Sequence, residues 1–258
     1  MPYKAIVFFD LDGTLLNEVS QLDDEVIEAV HQLQQNNVLP VICTGRSDVE
    51  IKEIKAQLGI DNSITLNGQR IVIDGRELYY HIMDHDLVQR FMEFTRAHNH
   101  QVAFYSADEI KLTDVDQTVI ECYNIINIPL PEVEADFYKH KDVPMMLIFK
   151  NPDDVDDDYR NAFPEFEFYR NGPKAMDIVA HGQSKGTGIR ILREALNMDS
   201  VPTYAFGDGS NDFAMFEAVD YPIAMGNAIE ALKEQAVHIT TNNTDHGIVN
   251  GLKHFNLI

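Results

Sequence analysis

Two stretches of the chain, residues 4–66 and 185–255, alternate short apolar runs with amphipathic helical patterns, and this alternation restricts the fold more than any other feature. In the first stretch Lys4–Phe9 reads as a strand, and Asp23–Asn36 as a helix with Val26, Val30 and Leu33 on one face. Val38–Cys43 is the next strand, Ser47–Leu58 a helix with Ile51, Ile54 and Leu58 inward, and Ser63–Leu66 a short strand. In the second stretch, helices over Lys185–Leu196, Asn211–Ala218, Ala228–Gln235 and Gly247–Phe255 alternate with strands at Thr203–Phe206, Tyr221–Ala224 and Val237–Thr240. Strands separated by helices pair in parallel through right-handed crossovers, so both stretches are expected in one α/β sheet.

Between them the texture changes. Arg70–His81 reads as a hairpin turning on Asp74–Gly75. Residues 83–184 then carry a helix, Asp84–Asn99, and strands at Gln101–Tyr105, Met145–Phe149, Phe166–Tyr169 and Ala175–Val179, joined by polar connections. The expected organisation is a core of residues 1–82 with 185–258, interrupted by an α+β insertion over 83–184. The acidic run Asp153–Asp158 lacks the spacing of a calcium-binding loop and reads as a solvated helix start.

In an open parallel sheet, ligands bind beyond the carboxyl ends of the strands. The first strand runs into Asp10-Leu11-Asp12-Gly13-Thr14 and the second into Thr44-Gly45-Arg46. The Thr203–Phe206 strand runs into Gly207-Asp208-Gly209-Ser210-Asn211-Asp212, and Lys185 opens a helix. In extended chain, residues i and i+2 point the same way, so Asp10 and Asp12 are expected to face one small volume and to need a neutralising group. The whole chain carries 20 basic and 42 acidic residues, a net charge of −22, which opposes capture of a nucleic-acid backbone. An anionic small substrate therefore requires a cation and a few basic side chains to make the site locally positive.

Other readings fall away. No apolar run approaches the roughly 20 residues that span a bilayer, and the N-terminus shows no basic segment followed by an apolar run and cleavage site, so no membrane partner and a cytoplasmic location are expected. Cys43 and Cys122 are expected as reduced thiols. In Gly182-Gln183-Ser184-Lys185-Gly186-Thr187-Gly188 the lysine precedes the second glycine, which breaks the phosphate-loop pattern of nucleotide hydrolases. After Gly207 and Gly209, Asp212 stands where a dinucleotide fingerprint needs its third glycine. The ten histidines show no metal-ligand spacing on a convincing helix.

Four segments in order, DLDGT (10–14), the threonine of TGR (44–46), the lysine of SKG (184–186) and GDGSND (207–212), resemble the haloacid dehalogenase superfamily. Asn67-Gly68 and Ala224-Met225-Gly226-Asn227-Ala228 resemble its Cof-type phosphatases, which carry a large C2-type cap inserted after the third core strand. The resemblance implies a Rossmann-like core, with 83–184 as a cap that sets substrate specificity. It implies Asp10 as nucleophile and Asp12 as acid and base, with Thr44 and Lys185 also catalytic. Mg²⁺ would be held by a carboxylate oxygen of Asp10, the backbone carbonyl of Asp12 and Asp208, with Asp212 supporting from behind. Leu11, Thr44, Gly45, Lys185 and Asn211 would bind phosphate. Arg46 and Asn67, and with them Lys174 and His181, are candidates for lining the substrate mouth. The implied activity is Mg²⁺-dependent hydrolysis of small phosphorylated metabolites, sugar phosphates foremost, through an aspartyl-phosphate, by a protein taken as a monomer. A sugar-phosphate mutase or phosphotransferase, and a metabolite sensor without turnover, are the alternatives.

Overall fold

A computed structural model describes residues 3–126, 128–150 and 156–258. The first arm runs β1 (Ala5–Phe9), α1 (Asp24–Gln35), β2 (Val38–Cys43), α2 (Lys52–Leu58), β3 (Ser63–Thr65), β4 (Arg70–Ile73) and β5 (Arg76–Tyr80). The middle runs α3 (His85–Ala97), β6 (Gln101–Tyr105), β7 (Ile110–Leu112), α4 (Gln117–Ile126), β8 (Glu132–Val133), β9 (Met145–Phe149), α5 (Asp156–Ala162), β10 (Phe166–Gly172) and β11 (Ala175–Ala180). The last arm runs α6 (Lys185–Ala195), β12 (Thr203–Gly207), α7 (Phe213–Phe216), β13 (Tyr221–Ala224), α8 (Glu230–Lys233), β14 (His238–Ile239) and α9 (Gly247–His254).

The two arms share an eight-stranded sheet of order β14-β13-β12-β1-β2-β3-β4-β5, parallel from β14 to β3, with β4 antiparallel to β3. Every residue of β1 is buried, as expected of a central parallel strand covered on both faces. Phe9 stacks on Phe206 of the neighbouring β12 with ring centroids 5.3 Å apart. In α1, Val26, Ala29, Val30 and Leu33 form the buried face, while Asp24 and Glu25 lie in the first turn, where the helix dipole favours negative charge. This arrangement puts the loops after β1, β2 and β12 side by side at one sheet edge.

The chain divides into two compact units: Met1–Arg46, Glu50–Tyr79 and Ser184–Ile258 in one, Ser47–Val49 and Tyr80–Gln183 in the other. These boundaries differ from the expected 82/83 and 184/185. Ser184 goes with the first unit because its hydroxyl caps α6, accepting the Thr187 N–H. The second unit holds a six-stranded sheet of order β10-β11-β9-β6-β7-β8. Val88, Phe91 and Met92 of α3 and Tyr159 of α5 share a buried cluster with Phe104, Met146, Ile148, Phe166 and Phe168 from its strands.

Several elements depart from expectation. The helix expected from Ser47 begins at Lys52, and the one expected over Asn211–Ala218 splits into a 3₁₀ turn, Ser210–Asp212, and the short α7. The Asp212 side chain accepts backbone N–H groups of the preceding turn, which holds that turn out of α-geometry. β7, α4 and β8 were not expected. Of the acidic run, Asp156–Asp158 form the first turn of α5, while residues 153–155 lie outside the described residues. Among the described residues, no helix is long and apolar enough to cross a membrane.

Candidate active site

The Asp10 N–H donates to the Phe206 carbonyl at 3.0 Å, extending the β1–β12 pairing by one residue and setting the Asp10 side chain at the sheet edge. There the chain turns: the Thr14 N–H donates to the Leu11 carbonyl at 3.1 Å. The extended geometry expected to aim Asp10 and Asp12 alike therefore ends at Leu11. Asp10 is buried, whereas the Asp12 side chain is 55% exposed.

Lys185, the first residue of α6, is fully buried. Its ammonium donates to Asp10 Oδ1 at 2.6 Å and to Asp212 Oδ1 at 2.7 Å. The second oxygen of Asp212 accepts the N–H groups of Asp208 at 2.9 Å and Gly209 at 3.0 Å, so both of its oxygens are engaged in holding Lys185 and the loop after β12. Thr14 donates its hydroxyl to Asp208 Oδ1 at 3.0 Å across 194 residues of chain. Gly13, at φ +76°, passes so close that a Cβ there would lie 2.3 Å from Asp208 Oδ2.

Asp10, Asp208 and Asp212 each bring a carboxylate oxygen within 4.8 Å of the others. Burial, opposed by Lys185 and reinforced by Asp212 and Asp208, pushes the Asp10 carboxyl well above the usual range. Burial and the Asp212 charge raise Asp208 to about 6. Burial works against the Lys185 ammonium, but Asp10 and Asp212 overcome it and hold the lysine charged beyond its ordinary range. Three carboxylates against one ammonium leave unmet negative charge, and the donors are all hard oxygens. This set fits a small divalent cation such as Mg²⁺. Since Asp212 is fully engaged, Asp10 and Asp208 are the carboxylates with an oxygen to offer.

Thr44 opens the loop after β2. Its buried hydroxyl accepts the Arg46 N–H at 3.1 Å, leaving its own proton to donate, and Gly45 lies between the two. Asn67, in left-handed geometry at φ +53°, donates its N–H to the Thr44 carbonyl at 3.0 Å and accepts Asn211 Nδ2 at 3.1 Å. Gly68 follows at φ +99°, where a Cβ would fall 2.0 Å from the Ser184 carbonyl, so the Asn67-Gly68 turn seats the start of α6 against the sheet edge. Arg46 directs its guanidinium to the carboxylate of Asp12. Leu11 is buried within the turn. Lys174 and His181 belong to the second unit, where they pair with Glu121 and Glu167. Thr14 reads from the sequence as a hydrogen-bonding turn residue, but its partner Asp208 does not; nor does the part taken by Asn227, which donates to the Gly13 carbonyl at 2.8 Å. The Asn227 signal lay in Ala224–Ala228, a stretch read only for its resemblance.

Residues 7–252 match the haloacid dehalogenase-like hydrolase family. The chain is 33% identical to the "Putative phosphatase YkrA" of Bacillus subtilis (strain 168), over 99% of both chains. A crystal structure of a hypothetical protein from Geobacillus kaustophilus HTA426 superposes with a TM-score of 0.89 at 36% identity, covering 98% of this chain and 99% of that one. The HAD subclass IIB sugar phosphatase BT4131 superposes with a TM-score of 0.88 at 25% identity, covering 98% and 99% respectively. The chain belongs to the haloacid dehalogenase-like hydrolases and, among them, to the Cof-type phosphatases.

Proposed function

We propose that this protein is a Mg²⁺-dependent phosphatase of small phosphorylated metabolites, sugar phosphates foremost, working in a reducing, cytoplasmic setting through an aspartyl-phosphate on Asp10. The observation that carries the reading is the Lys185 ammonium held between Asp10 and Asp212 beside Asp208, an arrangement that orients one carboxylate and leaves charge for a cation. The name of BT4131 supports the sugar-phosphate class, and the two free cysteines accord with the compartment.

In the first step a carboxylate oxygen of Asp10 attacks phosphorus as the bond to the leaving oxygen breaks, and Asp12 gives that oxygen a proton. In the second, Asp12 takes a proton from water, which displaces Asp10 and frees inorganic phosphate. Lys185, the Thr44 hydroxyl, Asn211 and the backbone amides of Leu11 and Gly45 stabilise the charge on the phosphoryl oxygens. Asp10, the Asp12 carbonyl and Asp208 would hold a Mg²⁺ ion, which would supply positive charge against the phosphate. Residues 83–184 select the leaving group.

The test measures phosphate release from a panel of sugar, alkyl and aryl phosphates with Mg²⁺, with Ca²⁺ and with neither, alongside acid-quenched labelling of the protein by phosphate. Release is expected with Mg²⁺ alone. Ca²⁺ is expected to inhibit, because a larger ion that accepts more ligands can take both oxygens of Asp10. Label should appear in the wild type and vanish in Asp10→Asn. Full turnover without a divalent cation, or label persisting in Asp10→Asn, overturns the mechanism.

A further inference from the structure

We propose that Arg46 is a positioning residue that holds Asp12 for proton transfer, rather than a ligand of the substrate; this rests on the phosphatase reading above. Arg46 Nε donates to Asp12 Oδ2 at 2.8 Å and Nη2 donates to Oδ1, so the guanidinium grips the carboxylate as a two-pronged fork. The grip is asymmetric in its anchoring. The Arg46 side chain is only 13% exposed, against 55% for Asp12. The Arg46 backbone is tied on both sides, its N–H to Thr44 Oγ1 at 3.1 Å and its carbonyl to the Leu66 N–H at 3.1 Å. A rigid cation from the loop after β2 thus immobilises an exposed acid on the loop after β1.

The chemistry gives that immobilisation a purpose. Asp10 is already oriented by Lys185, but Asp12 stands on a turn and, without the fork, would sample several rotamers in water. Proton transfer to a leaving oxygen needs the acid at hydrogen-bond distance when the bond breaks, and a displacement of about 1 Å from a distant change can cost on the order of 10²-fold. The fork also leaves capacity for the reaction. A carboxylate has about four lone-pair directions, of which two parallel N–H donors use two, so the outward pair can still carry a proton. An Arg46 engaged in this way has its planar fork committed to Asp12, and a lysine, a single point charge, cannot reproduce the grip.

The role predicts a dependence on the leaving group. An aryl phosphate with an acidic phenol departs with little help from a proton donor, whereas an alkyl phosphate needs one. Kinetics should be measured with Mg²⁺ on p-nitrophenyl phosphate and glycerol phosphate for the wild type, Arg46→Ala, Arg46→Lys, Asp12→Asn and the Asp12→Asn/Arg46→Ala double variant, with circular dichroism to show each is folded. Arg46→Ala is expected to lower kcat for glycerol phosphate on the order of 10²-fold and for the aryl ester only a few-fold, with KM changed little. Arg46→Lys should recover part of the loss. In the Asp12→Asn background, removal of Arg46 should cost almost nothing further, since two residues acting as one unit are not additive. A rise in KM on both esters at unchanged kcat, or losses that multiply in the double variant, would overturn the positioning role and make Arg46 a substrate ligand. A wild-type protein inert toward every ester overturns the phosphatase reading, and the role of Arg46 with it.

Discussion

Lys185 and Asp212 meet at 2.7 Å with neither side chain exposed to solvent, and the same ammonium reaches Asp10 at 2.6 Å. The pair joins the first residue of α6 to the loop after β12, while the remaining oxygen of Asp212 closes that loop on its own backbone. One buried cation thereby sets the positions of two carboxylates from opposite ends of the chain.

Lys185→Met should therefore do more than remove activity. It leaves three buried or half-buried carboxylates with no ammonium among them, and breaking such a pair typically costs about 3–5 kcal/mol. Urea denaturation should show the loss, and millimolar Mg²⁺ should restore a larger part of it in the variant than it adds to the wild type. A variant of wild-type stability and turnover would contradict this assignment.

Gly13 and Gly75 form a matched pair for testing close approach. Both are left-handed, at φ +76° and +72°, but a Cβ at Gly13 would press on Asp208, while nothing lies within 4 Å of one at Gly75. Gly75→Ala should cost about 1 kcal/mol of backbone strain and leave turnover intact. Gly13→Ala should cost more and weaken Mg²⁺ affinity at least tenfold, as read by calorimetric titration. Equal effects of the two would show that the contact with Asp208 has no part in cation binding.

Cation binding should depend on pH with a definite sign. A carboxylate must be ionised to bind a cation, and Asp208 is raised to about 6 by burial and by the Asp212 charge. Mg²⁺ affinity should therefore fall as pH drops through about 6, where the Asp208 carboxylate is lost. Titrations at pH 5, 6 and 7.5 provide the measurement, and Asp208→Asn should lower affinity and flatten the profile.

In the second unit, burial works against the Asp156 carboxylate, but hydrogen bonds from Arg170 and Lys150 overcome it and hold the group at about 2. A folded-state value below the ordinary 3.8 means this stabilisation is complete above that pH and is lost as pH falls through about 2. Asp156→Asn should cost about 1.5–3 kcal/mol near neutrality, since it takes a carboxylate from the fully buried Lys150 ammonium, 2.8 Å away. It should also reduce the steepness of acid unfolding of the full chain. An unchanged acid transition would show that the ion pair adds nothing to the folded state.

Local patterns made much of the fold legible. β1, β2 and β9 read as apolar runs that are buried throughout, and α1 and α6 as one-sided helices with recognisable starts. The strand-end acids, Thr44 and Lys185 stood out because parallel sheets gather ligands at that edge. The helix α4, with Ile120, Cys122, Tyr123 and Ile125 crowded among polar residues, and the three-residue β7 did not, since their apolar content is too short or too mixed to show a period.

The order of residue types along the chain was legible without the fold: Asp10 and Asp12, Thr44, Asp208 and Asp212 follow strands, and Lys185 opens a helix. How they are shared out follows from packing: Lys185 between Asp10 and Asp212, Thr14 on Asp208, Arg46 on Asp12. The reason is physical. Turn chemistry and hydrophobic period act over a few residues, whereas the partner of a buried charge is chosen by strand order and by which neighbouring loop supplies a donor of the right length. Here that order, β12 beside β1 beside β2, brings Thr14 and Asp208, 194 residues apart, into hydrogen-bonding contact.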